Sequence, residues 1–177
     1  MSTAKLPLSL RFYGISPWEL EVLYSTLHNI FNVQEDPNAS PDEDFTTMID
    51  ITFPLEFNET FFKWFGIPRW DKIKGIIKEM KRRRGKGDSL RTYIKFKGKP
   101  DIVFTIDSDD RHSFDIAVDK IDFILELLPY HLDPKKLPSE VTQVSYQFND
   151  ISGKWNVKAG KAGEQTYQFL DNEWKVT

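Results

Sequence analysis

Asp107-Ser108-Asp109-Asp110-Arg111-His112 sets three carboxylates and an imidazole within six residues. Carboxylate oxygens with a histidine are the donor set of Mg²⁺ or Mn²⁺, and such a site could support phosphodiester hydrolysis, with Asp107, Asp109 and Asp110 as ligands and His112 as base. The same residue types are also favoured at helix starts, where a carboxylate accepts free backbone N–H groups and meets the positive end of the helix dipole. No second acidic motif elsewhere completes a metal site.

The stronger signal is charge. From Lys72 to Lys99 there are twelve Lys or Arg against Glu79 and Asp88, a net of +10. The whole chain carries −3, so the remainder carries −13. Lys78, Lys81, Arg82, Arg83, Arg84 and Lys86 cluster at a helix end, and Arg91 and Lys95 follow on a strand. Lysine and arginine neutralise phosphates, and arginine binds them bidentately, so this pattern predicts an anion site and, foremost, a nucleic-acid backbone. Tyr93 lies between Arg91 and Lys95 on the same strand face and is placed to stack on a base. The alternatives are a cationic helix end that complements its own dipole, and an acidic loop that covers the patch from within.

Other chemistry is thinly represented. His28, His112 and His131 lack the i, i+4 spacing of a helical zinc pair. There is no Gly-x-Ser-x-Gly elbow, and Arg84-Gly85-Lys86-Gly87-Asp88 lacks phosphate-loop spacing. The chain has no cysteine, which removes thiolate ligands, disulfides and a thiol nucleophile. No cofactor is expected, and a binding role is favoured over an enzymatic one. Phe61, Phe62, Trp64, Phe65 and Trp70 precede a basic amphipathic helix, a combination seen at membrane surfaces but also in ordinary cores. Self-association or a protein partner, through an exposed aromatic patch, is the remaining alternative. The first residues lack a long apolar stretch and no run approaches a membrane span, so a cytoplasmic protein without a transmembrane segment is expected.

These residues need elements to hold them. Leu6 to Tyr13 alternates as a half-buried strand. Ser16-Pro17-Trp18-Glu19 carries a capping box and a first-turn proline, opening a helix expected to reach about Asn32. Residues 34–44 hold five carboxylates and two prolines and read as an acidic flexible loop. Phe45 to Phe53 alternates as a strand. Asn58 caps a short helix at 59–65, and Pro68 opens a long one with Trp70, Ile73, Ile77 and Met80 inward. Leu90–Phe96 and Ile102–Ile106 form a hairpin across Gly98–Asp101. A third long helix buries Phe114, Val118, Ile121, Leu125 and Leu128.

Residues 134–138 read as a linker. Beyond it, Tyr146-Gln147-Phe148 with Trp155, and Tyr167-Gln168-Phe169 with Trp174, form a weak repeat. The expected fold is α+β: residues 1–133 with three long helices on a mixed or antiparallel sheet, followed at 139–177 by a four-stranded antiparallel meander of two hairpins packed on the first part.

Overall fold

The computed structural model describes residues 4–37 and 44–177. Among the described residues, nine strands form one mixed sheet. In chain order the elements are β1 (Leu6–Tyr13), α1 (Pro17–Leu27), β2 (Phe31–Asp36), β3 (Met48–Phe53), α2 (Glu59–Phe65), α3 (Ile67–Arg84), β4 (Arg91–Phe96), β5 (Asp101–Ile106) and α4 (Arg111–Asp119). A 3₁₀ turn (Ile121–Glu126) and α5 (Leu128–His131) lead to β6 (Gln143–Asn149), β7 (Lys154–Ala162), β8 (Gln165–Leu170) and β9 (Glu173–Val176). The strand order is β2-β1-β3-β4-β5-β6-β7-β8-β9.

Three crossovers build the first six strands. β1 and β2, β3 and β4, and β5 and β6 are each parallel neighbours joined through helix. The pairs meet one another antiparallel, at β1–β3 and β4–β5. From β6 onward every pairing is antiparallel.

Among the described residues, the helices all lie on one face. Register places Leu10, Ile51, Ile94, Phe104 and Tyr146 on that face, and each is fully buried. Trp70, Ile73, Ile77 and Met80 of α3 and Phe114, Ala117 and Val118 of α4 join the same core. Phe53, Phe61, Phe65 and Phe96 pack ring to ring, with centroids 5.1–5.7 Å apart where Phe53 meets the other three. Burying such a side chain contributes about 1.5–3 kcal/mol. Phe61, Phe62, Phe65 and Trp70 are therefore core, while Trp64 is half exposed. Among the described residues, no helix is long and apolar enough to cross a membrane.

Several expectations need correction. α1 ends at Leu27, with its last cap at His28, and residues 31–36 are strand rather than helix end and acidic loop. Residues 38–43 of that loop lie outside the described residues. The three long helices reduce to one of 18 residues (α3), with α1 at 11 and α4 at 9. The stretch from Phe114 to Leu128 breaks at Lys120 into the 3₁₀ turn, and Pro129 opens α5. Residues 143–176 are strand and turn, but they are not a separate four-stranded sheet. β6 pairs in parallel with β5 and carries the sheet onward without interruption.

Candidate nucleic-acid interface

β4 alternates between the two faces of the sheet. Thr92, Ile94 and Phe96 enter the core, while Arg91, Tyr93 and Lys95 are half-buried on the other side. Among the described residues, no helix packs on that side. Strand pairing aligns a row of side chains across it: Asp36, Arg11, Asp50, Tyr93, Thr105, Gln147 and Asn156, each opposite the next. The adjacent row runs Gln34, Ser9, Thr52, Lys95, Val103 and Ser145. This face is polar and carries charges and an aromatic ring at its centre.

Its cations have acidic neighbours. Lys95 Nζ donates to Asp50 Oδ2 at 3.0 Å, and Arg11 Nη1 lies 3.8 Å from the same oxygen. Thr52 Oγ1 donates to the other oxygen at 3.4 Å. The Asp50 side chain is only 5% exposed beneath them. Lys95 also lies 5.4 Å from the Tyr93 ring centre. Arg91 stacks on Phe45, with 4.1 Å from guanidinium carbon to ring centre, and reaches Asp107 at 3.5 Å. Lys97 pairs with Asp101 at 3.5 Å.

The helix-end cations sit elsewhere, since α3 belongs to the covered side. Arg84 is bound into the fold. It donates to both carboxylate oxygens of Glu19 at 2.7 and 2.9 Å, to Thr47 Oγ1 at 3.0 Å and to the carbonyls of Met80 and Gly14. Glu19 is buried and also accepts from the Ser16 amide of its own capping box. The Arg84 guanidinium holds the Glu19 carboxyl at about 2 against the opposing effect of burial.

Lys81 has no exposed surface. Its ammonium donates to Gly87 O and Ser89 Oγ, both at 3.1 Å, and lies over the Phe114 ring. Burial pushes its pKa down, while Asp109, Asp110 and Asp88 pull it upward. Lys81 and Arg84 therefore offer nothing to a phosphate in this fold. Arg82 and Arg83 share Glu79, and Lys78 pairs with Asp119 at 2.8 Å. Lys86 is exposed in the connection after α3.

The acidic cluster divides into three separate roles. Asp110 caps α4, accepting from the Ser113 amide at 3.0 Å, and this bond holds its carboxyl below the ordinary range. Asp109 accepts from the Gly87 amide. Asp107 faces Arg91, and its burial raises its pKa, opposed by that arginine. His112 is exposed in the first turn of α4. Among the described residues, no three His, Cys, Asp or Glu side chains are grouped to hold a metal ion. Asp107 and Asp109 border an open cleft of about 800 Å³ at the ends of β5 and β6, with Arg91, Gln147, Asp150 and Lys158.

The sequence alone did not bring Arg11 and Asp50 beside Tyr93 and Lys95. Alternation placed Arg11 on the polar side of β1, but its proximity to β4 depends on a non-local strand order. The architecture is a two-layer α+β fold with helices on one side of a single sheet. No protein-family model, no characterised protein and no solved structure matches the chain.

Proposed function

We propose that the protein is a non-catalytic binding module whose helix-free sheet face takes a polyanion, foremost single-stranded nucleic acid. The observation that carries this reading is the pair of polar rows crossing the uncovered face, with Tyr93 between Arg91 and Lys95. Tyr93 supplies a ring for a base, and Arg11, Arg91, Lys95 and Lys97 supply cations for phosphates. A strand lying along the sheet meets both together. Duplex bases are already stacked and cannot use Tyr93.

The ion pairs set the strength. Each of these four cations has a carboxylate beside it, so a phosphate competes with a partner already in place. The pairs Arg91–Asp107 and Lys97–Asp101 are partly exposed on both sides, and such pairs contribute about 0–1 kcal/mol, which makes exchange feasible there. Asp50 is buried, so Arg11 and Lys95 keep it while meeting a phosphate, and the resulting affinity is weak. Base edges are not read by such contacts, so binding is nearly independent of sequence.

Fluorescence anisotropy with labelled single- and double-stranded DNA and RNA, at low and physiological salt, tests the proposal. Single strands are expected to bind and duplexes to bind less. With about four cations engaged, the log–log salt slope is on the order of −2 to −3. No single-strand binding at low salt, or binding unchanged by Tyr93→Ala combined with Lys95→Ala, overturns it.

A further inference from the structure

A recess of about 260 Å³ opens on the bare sheet face at the start of β5 and β6. Strand register assembles it: Ser9 lies opposite Thr52, Thr52 opposite Lys95, Lys95 opposite the buried Val103, and Asp101 opposite Gln143. Lys97 follows β4 at the rim. The charged residues of the lining are Lys95, Lys97 and Asp101, a net of +1. Lys95 also touches Asp50, which Arg11 approaches together with Asp36, and including those three brings the balance to zero. Asp101 is already engaged. One of its oxygens accepts from the Gly98 amide at 2.9 Å, and the other lies 3.5 Å from Lys97 Nζ. Among the described residues, neither the Ser9 hydroxyl nor the Gln143 side-chain amide is engaged in a hydrogen bond.

The opposite end of the same strands is acidic. The cleft beside Arg91 is lined by five aspartates, Asp107, Asp109 and Asp150 among them, against Arg91 and Lys158, a net of −3. Between Lys97 and Arg91 the chain covers about 20 Å, with Tyr93 in the middle. A polyanion lying along β4 therefore finds free donors and two ammonium groups at one end and net repulsion beyond the other. Such a face suits the end of a chain better than its middle.

Given single-strand binding at this face, on which the inference rests, we propose that the recess holds the terminal phosphomonoester of the bound strand. A terminal phosphate carries a charge of about −1.5 to −2 at neutral pH, against a single charge for an internal diester. Lys95 and Lys97 meet that charge, and Ser9 and Gln143 donate to its oxygens. Tyr93 lies two residues from Lys95 on the same side of β4, about 7 Å away, so the terminal base stacks on Tyr93 while its own phosphate lies in the recess.

The test is anisotropy at low salt with the full chain and one short single strand, dye-labelled internally, in three forms: 5′-phosphate, 3′-phosphate, and hydroxyl at both ends. One phosphorylated form is expected to bind about five- to tenfold more tightly than the hydroxyl form. In the Ser9→Ala, Gln143→Ala double variant this ratio is expected to fall below about twofold. Asp101→Asn keeps an acceptor for the Gly98 amide and removes the charge that Lys97 pairs with, and it is expected to widen the ratio about threefold. Equal binding of all three forms overturns the proposal and leaves polyanion binding at the face intact. A preference that survives the double substitution, or that narrows in Asp101→Asn, also overturns it, because the terminal phosphate then lies elsewhere. Absence of binding by every form removes the face as a nucleic-acid surface, and the recess with it.

Discussion

The C-terminal end of α3 and the outward side of β4 are both rich in Lys and Arg, and the fold uses them differently. At the helix end, Lys81 is fully buried and Arg84 is 16% exposed in its side chain, with donors spent on Glu19, Thr47 and backbone carbonyls. On β4, Lys95 is 33% exposed in its side chain and keeps an ammonium at the surface of a face that no described helix covers. Lys81, Arg84 and Lys95 each carry one formal positive charge. The difference is desolvation: a charge packed under a helix layer must be satisfied internally, whereas a charge on an uncovered sheet can exchange its partner for a ligand. A run of +10 is therefore a structural resource as much as a binding signal.

Removing Arg84 should have the largest effect. Arg84→Ala leaves Glu19 buried without its cation, and breaking such a pair costs about 3–5 kcal/mol. Urea unfolding measures it directly. Acid titration adds a second readout. The Glu19 carboxyl is held at about 2, below its ordinary 4.5. A depressed folded-state pKa gives stability that is fully present above 4.5 and lost as pH falls towards 2. The wild type is expected to lose this increment over that window, and Arg84→Ala to have no such increment to lose. Glu79 is also held at about 2 by Arg82 and Arg83, but at an exposed site. Its share should fade with added salt, and that of Glu19 should persist. An Arg84→Ala protein as stable as wild type at neutral pH removes one side of the comparison.

On the sheet face the corresponding loss is in binding. Tyr93→Ala removes the proposed stacking ring, and since base–aromatic stacking contributes about 1–3 kcal/mol per base, single-strand affinity is expected to fall roughly tenfold. The fold should persist, because the Tyr93 side chain is outside the core. Equal anisotropy curves for wild type and Tyr93→Ala would mean that this face binds by charge alone or not at all.

How far these features were legible depended on whether they were local. The capping box at Ser16–Glu19 is written in four residues, and both of its bonds form. The shared side of Arg91, Tyr93 and Lys95 follows from alternation alone. β2 was hidden because an edge strand buries little. Phe31 is its one buried residue, Val33 and Asp36 are half-buried, and the acidic residues resemble a loop. The apolar spacing from Phe114 to Leu128 suits α and 3₁₀ turns alike, so the break at Lys120 left no pattern. Strands after Gln143 were legible as strands. Their parallel attachment to β5 joins residues about forty positions apart, and nothing local encodes it. The same holds for the site: which side of the sheet the helices leave bare is a property of all the crossovers together. Asp50 gave no signal, because its meaning comes from Arg11 and Lys95 on the two neighbouring strands.

Asp50 offers a gentler adjustment of the same face. Its carboxylate neutralises Arg11 and Lys95, so in the proposed complex it would compete with the polyanion for them. Asp50→Asn keeps the shape and removes the charge. Single-strand affinity at low salt is expected to rise about three- to tenfold, corresponding to about 0.7–1.4 kcal/mol. Thermal stability should drop slightly as the pair with Lys95 is lost. Unchanged affinity in a folded Asp50→Asn protein would separate Arg11 and Lys95 from the binding site.

The smallest expected effect bears most directly on the contrast between α3 and β4. Arg82 and Arg83 belong to the sequence's densest cluster of cations, and a reading from charge alone makes them the main phosphate contacts. In the fold their side chains are 50% and 44% exposed, and both serve a single acid, Glu79. They project from the helix layer, whereas Tyr93 projects from the opposite side of the sheet, so one short nucleic-acid strand cannot readily engage both. Surface pairs of this kind are screened by solvent and contribute little to stability. Arg82→Ala with Arg83→Ala is therefore expected to leave the urea unfolding midpoint almost unchanged, and to change single-strand affinity by less than about twofold beyond the loss of general positive charge. Lys95→Ala in parallel calibrates the assay, since it removes one charge instead of two but from the bare face. If the double variant loses more affinity than Lys95→Ala, the binding surface lies at the helix end, and Tyr93 is only a surface ring.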